Sequence, residues 1–410
     1  MKLFACIAYL SFVWITLLAG DLPDQFKQPL SIGRSTFSRI IEDNCVYVDK
    51  TGYINKLLNS KNRYFFIARP RQFGRTLFLT TLEAFFAGKK DLFKTLNAAK
   101  SNYSWQQSPV IVLNFLGTCA FNKQEFEQYL CRYIKSIAEQ YQIELENENI
   151  FSSLFRQLVS ELTQKYGKNN IVLLVDEYDK PMLDRIDSKE QYSETERILK
   201  RLYDVVGECD DCWRFVFITG LTKCSKQIVL SGIPTLFDIS ENDEYTAIFG
   251  FSKKYLINIF KPMLLTYTKS QRQCLDAVVD LIASRCGGYN FSCNIQQTEA
   301  LINPRSALYQ LYYQDSDNYF FDGCTPSFLV KILKQKQYSF ELSSPVRVKK
   351  ENFEIYDQQT ILPEVALYAS GYLTICGYDK KTNEYLLKIP NTGVKQAFHF
   401  LQKALDKICI

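Results

Sequence analysis

Arg69-Pro-Arg-Gln-Phe-Gly-Arg-Thr76 follows an apolar run, Tyr64-Phe65-Phe66-Ile67-Ala68, and precedes a segment that sets Leu77, Phe78, Leu82, Phe85 and Phe86 on one side. That spacing predicts a helix, and the run before it predicts a buried strand. Strand, tight loop and helix in this order is the setting of a phosphate-cradling loop, where backbone N–H groups at a helix N-terminus face an anion. The usual pattern, G-x-x-x-x-G-K-[ST], is met in part. Arg69 stands at the first glycine, Gly74 keeps the second, Arg75 replaces the lysine, and Thr76 keeps the hydroxyl that serves Mg²⁺. Arg71 adds a further cation inside the loop.

The second decisive stretch is Ile171-Val-Leu-Leu-Val-Asp-Glu177. Five β-branched or leucine residues in a row read as a strand buried on both faces, the signature of a parallel sheet. Two adjacent carboxylates at its end are unfavourable unless something cationic sits beside them. In P-loop ATPases the first, here Asp176, holds Mg²⁺, usually through water, and the second, here Glu177, polarises the attacking water. The bland reading is a core strand that ends in a solvated Asp-Glu turn; the phosphate loop upstream favours the ATPase reading. A third buried strand, Arg214-Phe-Val-Phe-Ile218, ends in Thr219-Gly220. Thr219 is read either as a contact to a γ-phosphate or the water, or as an ordinary strand-end threonine.

With these stretches placed, an ordered series of short motifs stands out: Asp49-Lys-Thr51 after Cys45-Val-Tyr-Val48, then Arg69-Pro-Arg71 with Phe73-Gly74, then Asp176-Glu-Tyr-Asp-Lys-Pro181. Thr219-Gly220, Ser225-Lys226, Ser231-Gly232, Ile248-Phe-Gly-Phe251, Gly288-Tyr-Asn-Phe291, Asn303-Pro304, Thr325-Pro-Ser-Phe-Leu329 and Gly371-Tyr-Leu-Thr374 continue it. The series resembles the bacterial AAA-ATPase-like proteins, whose members often end in a nuclease of the PD-(D/E)XK superfamily. The resemblance runs from about Pro29 to about Lys403. It implies a P-loop NTPase fold of the AAA-like, ASCE type, with ATP and Mg²⁺ as cofactors and Arg69 as a usual residue of the loop. Members mostly carry Lys where Arg75 stands, and tend to carry Arg near the third strand's loop, where this chain has Lys223. Homo-oligomers are therefore compatible with the resemblance, but no arginine finger is identifiable. The chain stops where the nuclease of relatives would begin, so nuclease activity is not expected.

Arg75 alters the chemistry expected of the loop. Lysine is a compact point charge that reaches β- and γ-phosphates, whereas arginine is longer, planar and suited to bidentate contacts. The expectation is nucleotide binding with weak or lost hydrolysis. In that reading Arg69, Arg71, Gly74, Arg75 and Thr76 bind phosphate, Thr76 and Asp176 hold Mg²⁺, Glu177 is the base and Thr219 senses the γ-phosphate. For Arg71 a salt bridge to Asp179 or Glu177 is the alternative. The alternative function is a nucleotide-silent scaffold that acts through an unknown protein partner.

The chain of 410 residues is 47% hydrophobic and 14% aromatic, so it is well supplied with core and is not disordered by composition. A net charge of +5 without a concentrated basic face makes nucleic acid an unlikely partner. Met1 to Gly20, with Lys2 before an apolar run and small residues before Asp21, has the pattern of a secretory signal peptide. Export is the first reading; an N-terminal membrane anchor through residues 3–19, or a cytoplasmic protein with a mis-chosen start, are the others. Thirteen cysteines are scattered singly except for Cys209-Asp-Asp-Cys212, which lacks the second ligand pair of a zinc site, and His399 is the single histidine. A single histidine argues against a His-based triad.

The organisation expected is a doubly wound parallel α/β core over residues 29–251, with strands Tyr64–Ala68, Val110–Phe115, Ile171–Val175 and Phe215–Thr219 and helices Asn122–Tyr141 and Asn149–Tyr166. The family layout puts the Thr219 strand between the other two motif strands. A helical, lid-like domain is expected over 252–344. A small α+β segment is expected over 345–410, with a hairpin of Gly371–Ile375 and Tyr385–Ile389 and a last helix that exposes Phe398 and Phe400.

Overall fold

The Tyr64–Ala68 run forms strand β1 with Phe65, Phe66 and Ile67 fully buried. The computed structural model describes residues 28–407, apart from 101–102, 119–121, 147, 224, 316, 318, 321–324, 339–343 and 355–360. β2 is Val110–Asn114, β3 Ile171–Asp176, β4 Trp213–Gly220 and β5 Phe237–Asp238. Ile171 to Val175 are wholly buried, which is why five consecutive apolar residues sit together without alternation. The five strands pair in parallel in the order β2-β3-β4-β1-β5. β4 thus lies between β1 and β3, as the family layout led us to expect. The short β5 was not anticipated, because two residues carry no periodic signal.

Register places the functional ends together. Ile67 lies opposite Thr219, Val175 opposite Ile218 and Asn114 opposite Asp176, so the carboxyl ends of β1, β3 and β4 finish at one edge. Ligands of open α/β sheets bind at that edge. Helices Arg75–Phe86, Lys123–Gln140, Phe151–Tyr166 and Lys189–Glu208 join the strands. The Lys123–Gln140 helix opens on a capping box, in which Asn122 accepts from the Glu125 N–H and the Glu125 carboxylate accepts from the Asn122 N–H. Ahead of β1, Asp49 Oδ1 accepts from both the N–H and the hydroxyl of Thr51, and the amphipathic helix Gly52–Asn59 follows.

Residues 253–313 form a second hydrophobic cluster around Leu256, Phe260, Leu264, Val278, Ile282 and Leu311. It is carried by helices Lys253–Gln271, Leu275–Cys286 and Pro304–Tyr313. The first of these kinks at Phe260, just ahead of Pro262, because proline cannot donate to the helix ladder. Helix Ser327–Gln335 and the last part of the chain belong instead to the main core, which includes Leu329, Ile332, Val348, Tyr372, Leu387, Val394 and Leu401. There β6 (Val346–Lys349), β7 (Thr374–Asp379) and β8 (Glu384–Lys388) make an antiparallel sheet in the order β6-β8-β7. The hairpin is the expected one with its first strand displaced toward Asp379, and β6 is an addition. Phe398 is not exposed: it is buried against Tyr372, with ring centroids 5.0 Å apart, while Phe400 is half exposed.

The leader expectation concerns residues 1–20, which lie outside the described residues. Among the described residues no helix is long and apolar enough to cross a membrane. The cysteines there, including Cys209 and Cys212, are free thiols.

One backbone crossing in this core leaves no room. A Cβ on Gly207, near the end of the Lys189–Glu208 helix, would sit 1.7 Å from the Gly232 carbonyl oxygen, and one on Gly232 would sit 2.5 Å from Asp204 Oδ1. This explains the glycine of Ser231-Gly232. Gly207→Ala is expected to destabilise the protein by about 2–3 kcal/mol through overpacking. The measurement is the urea midpoint at unchanged slope; a loss below about 0.5 kcal/mol, the level of a surface substitution, would refute the crossing.

Candidate functional site

The loop after β1 is shaped by two left-handed residues, Gln72 at φ 67° and Gly74 at φ 99°. Gly74 is the N-cap of the Arg75–Phe86 helix. Such a φ is readily adopted by glycine and by few other residues, which is why this position of the motif is kept. The helix start it creates leaves the N–H groups of the first turn without intrahelical partners.

Two bonds join this turn to the end of β3. Arg75 Nη2 donates to Glu177 Oε1 at 2.6 Å, with both side chains over 90% buried. Thr76 Oγ donates to Asp176 Oδ2 at 2.7 Å. Glu177 adopts φ 57°, a left-handed conformation uncommon for glutamate. Burial works against the Arg75 charge, but Glu177, Asp176 and Asp179 outweigh it and hold the guanidinium above its ordinary range. Burial pushes the Asp176 carboxyl upward, with Arg75 pulling it back.

Asp179 was not singled out as a site residue, yet it organises the edge. Its Oδ1 accepts from Leu221 N–H at 3.2 Å, and its Oδ2 accepts from the N–H and hydroxyl of Thr222 at 2.7 and 2.6 Å. It therefore pins the loop after β4 to the loop after β3. The approach is close enough that a Cβ on Gly220 would meet Asp179 Oδ1 at 2.6 Å and the Tyr178 ring at 2.5 Å. Burial, with Glu177 adding repulsion, pushes the Asp179 carboxyl up to about 6.

These residues border a cavity of about 530 Å³, within the range of cofactor pockets. Arg71, Gly74, Arg75, Thr76 and Glu177 form its polar end; Val46, Val48, Phe251, Phe260, Leu308 and Tyr309 line it elsewhere. Arg71 makes no ion pair among the described residues, so the alternative bridge to Asp179 or Glu177 is not formed. Asp176 and Thr219 stand behind the wall. Thr219 is fully buried and its hydroxyl has no partner among the described residues. Arg69 is not in this cavity. Its guanidinium donates to the Ala68 carbonyl at 3.0 Å and to the Ser240 carbonyl, and lies 4.3 Å over the Phe291 ring. It braces the foot of the loop from the far side, which corrects its placement as a phosphate contact. Lys223 is also engaged, 2.9 Å from Glu241 and 3.2 Å from Asp238.

Lys50 is another residue that sequence reasoning missed as a site residue. It lines the cavity, donates to the Ala247 carbonyl at 2.7 Å and sits 4.2 Å from the Tyr255 ring centroid. Burial lowers its pKa to about 7. Only its place in Asp49-Lys-Thr51 could have drawn notice, and a helix cap explains that motif equally well.

The site fits a magnesium nucleotide by charge and by unmet donors and acceptors. Asp176 Oδ1, Glu177 Oε2, Arg75 Nη1 and Thr219 Oγ are buried without partners among the described residues. One buried guanidinium faces three buried carboxylates, Asp176, Glu177 and Asp179, a formal imbalance of −2 with all of them ionised. Buried polar atoms are normally satisfied, and a divalent cation with its phosphates would supply what is missing. Thr76 and Asp176 would hold the metal; Mg²⁺ ordinarily takes one or two carboxylates together with water and phosphate oxygens.

The family profile described as "Predicted AAA-ATPase" matches residues 31–230. A protein of Azotobacter chroococcum mcd 1, described as "Uncharacterized protein in vnfD 5'region", is 30% identical over 380 residues, covering 91% of this chain and 69% of that protein. The chain belongs to the predicted AAA-ATPase family. The matched span of this AAA-ATPase-like chain contains the loop, the β3 carboxylates and β4.

The Asp179 proton gives the site a pH signature. The folded pKa of about 6 stands above the ordinary 3.8, so the folded state keeps a proton that the unfolded chain has lost. Stability from this group therefore falls as pH rises from about 4 to about 6, and is flat above. Asp179→Asn should remove that component, on the order of 3 kcal/mol, from urea midpoints compared at both ends of the window. An unaltered slope in the variant would place the proton elsewhere.

Proposed function

We propose that the chain is a magnesium nucleotide-binding protein of the ATPase type in which Arg75 restrains hydrolysis. The observation that carries this is the buried Arg75–Glu177 pair at 2.6 Å. In this reading Glu177 polarises the attacking water, and one of its oxygens is occupied by the residue that replaces the loop lysine. Hydrolysis requires Glu177 to be free and the γ-phosphate to be well placed. A displacement of about 1 Å can lower a rate on the order of 100-fold, and breaking a buried pair is strongly unfavourable unless a phosphate replaces the lost partner.

The roles follow from position. The N–H groups from Gly74 to Thr76 and the Arg71 guanidinium, without an ion pair among the described residues, receive phosphates at the helix start. Thr76 and Asp176 hold Mg²⁺, Glu177 orients water once released, and Thr219 offers its unused hydroxyl toward the same edge. Arg69 supports the loop without touching the nucleotide. The helices from Lys253 to Tyr313, with their own small core, act as a lid over the apolar end, where Phe260 and Leu308 reach the cavity. The division into 29–251, 252–344 and 345–410 is proposed along the sequence only, since Ser327–Gln335 and the last segment pack into the main core; export through residues 1–20 is likewise a proposal.

A second reading, the nucleotide-silent scaffold, is favoured by the same pair: Arg75, Glu177, Thr76 and Asp176 already bond one another across the site. Calorimetry of the full chain with MgATP separates the two. Binding is expected, weakened at least about 10-fold by Asp176→Ala, which removes a charged partner of the metal. Phosphate release should be slow in the native protein and rise at least about 10-fold in Arg75→Lys, since 10-fold is roughly 1.4 kcal/mol in barrier height. No binding at millimolar ATP by either the native chain or Arg75→Lys would leave the scaffold reading in place.

A further inference from the structure

The residue at the head of the loop carries an unanswered demand. Arg69 is 1% exposed, and its Nε and Nη2 are buried with no partner among the described residues. These two nitrogens form one edge of the guanidinium, the edge used for side-on bidentate contacts. Elsewhere in the chain the same edge of Arg156 holds a single oxygen, Glu208 Oε2, at 3.0 and 2.6 Å. One acceptor atom therefore satisfies both donors. At Arg69 no side chain among the described residues supplies it.

Room exists for one small species. Arg69, Lys223, Ser240, Tyr368 and Glu241 line a separate cavity of about 20 Å³, enough for a single water-sized occupant; the Glu241 carboxylate in this wall is the one bonded to Lys223. Charge argues for an anion in that place. Arg69, Lys223 and Lys226 are three cations with mostly buried side chains, and Asp238 and Glu241 are the two carboxylates among them, which leaves +1. Lys350 at the rim adds to the excess. Both carboxylates are already committed: Asp238 Oδ2 to Lys226 at 2.6 Å and Lys223 at 3.2 Å, Glu241 to Lys223 at 2.9 Å, Lys350 at 3.1 Å and the Tyr385 hydroxyl. Neither reaches the Arg69 edge.

We infer that Arg69, Lys223 and the walls of this small cavity form a binding site for one halide-sized monovalent anion, at the junction between the α/β core and the C-terminal sheet. The anion accepts from Arg69 Nε and Nη2 and cancels the remaining charge. Its effect is to hold the β5 side of the core against Tyr385 of β8 and Lys350, the residue after β6. The site is independent of whether the main cavity binds nucleotide.

Crystals of the full chain exposed to bromide provide the deciding measurement. An anomalous peak within hydrogen-bonding distance of Arg69 Nε and Nη2 is expected. Thermal melts in chloride and in gluconate at equal ionic strength provide the second, since gluconate is too large to enter. Chloride should raise the midpoint saturably, on the order of 2 °C at about ten times the dissociation constant. Arg69→Lys keeps the charge and lacks the fork, so the difference between the two salts should vanish in it. Where that variant does not fold, the bromide map alone decides. A bromide-free map with water at the Arg69 edge overturns the site, as does a chloride effect that persists undiminished in Arg69→Lys.

Discussion

The contact between Arg75 and Glu177 is the interaction on which the site depends. It closes a span between the first residue of one helix and the residue after β3. The span exists because β4 separates β1 from β3 and the three strands end level. Left-handed backbone sets both sides of the contact, Gly74 at 99° just before Arg75 and Glu177 itself at 57°. Unusual backbone of this kind persists only where its surroundings overdetermine it. Here the surroundings are the fully buried β3, the Thr76–Asp176 bond and the Asp179 clasp on the next loop. A lysine at the same place would be a shorter point charge and would lack the fork that lets arginine reach one carboxylate oxygen while a second nitrogen, Nη1, stays unused.

Much of this was legible in the sequence, for reasons that differ from residue to residue. Strands β1 to β3 were placed within about a residue because runs such as Ile171 to Val175 are apolar throughout. The two long helices between β2 and β3 ended where their apolar period ended, at Gln140 and Tyr166. Motif order named Thr76 and Asp176 as metal ligands, and the structure joins them by a direct hydrogen bond that the sequence reading did not name. What failed to show lay in pairings between segments far apart in the chain. β5 and β6 are short strands whose existence depends on partners in β1 and β8. The roles of Asp179 and Lys50 rest on hydrogen bonds to loop backbone at Leu221, Thr222 and Ala247, and no residue pattern encodes a backbone atom's position. Arg69 was misplaced because a motif position says which strand a residue follows, while the side on which its side chain emerges is set by packing against Ser240 and Phe291.

The C-terminal sheet shows the same limit at larger scale. Read along the chain it looks like an appendage, yet Tyr372, Tyr385 and Leu387 are fully buried in the same core as β1 and β4. Its attachment is partly ionic, through Glu241, Lys350 and the Tyr385 hydroxyl. The helices from Lys253 to Tyr313, by contrast, have a separate apolar cluster. Motion between parts is cheaper where cores are separate than where they are shared.

Charge is distributed unevenly around the loop. On the cavity side three carboxylates face Arg75; on the far side three cations face Asp238 and Glu241. Each imbalance is tolerable only near a compensating partner, because burying unpaired charge is unfavourable by several kcal/mol per ion. Arg69 and Arg75 stand in one short motif and end on opposite sides of this division. Arg75 has a carboxylate to meet and an unused nitrogen near the phosphate position; Arg69 has two unused nitrogens and no carboxylate. The same residue type thus reports a surplus of negative charge at one end of the loop and a deficit at the other. The loop is better understood as the boundary between two oppositely biased sites than as a single phosphate cradle.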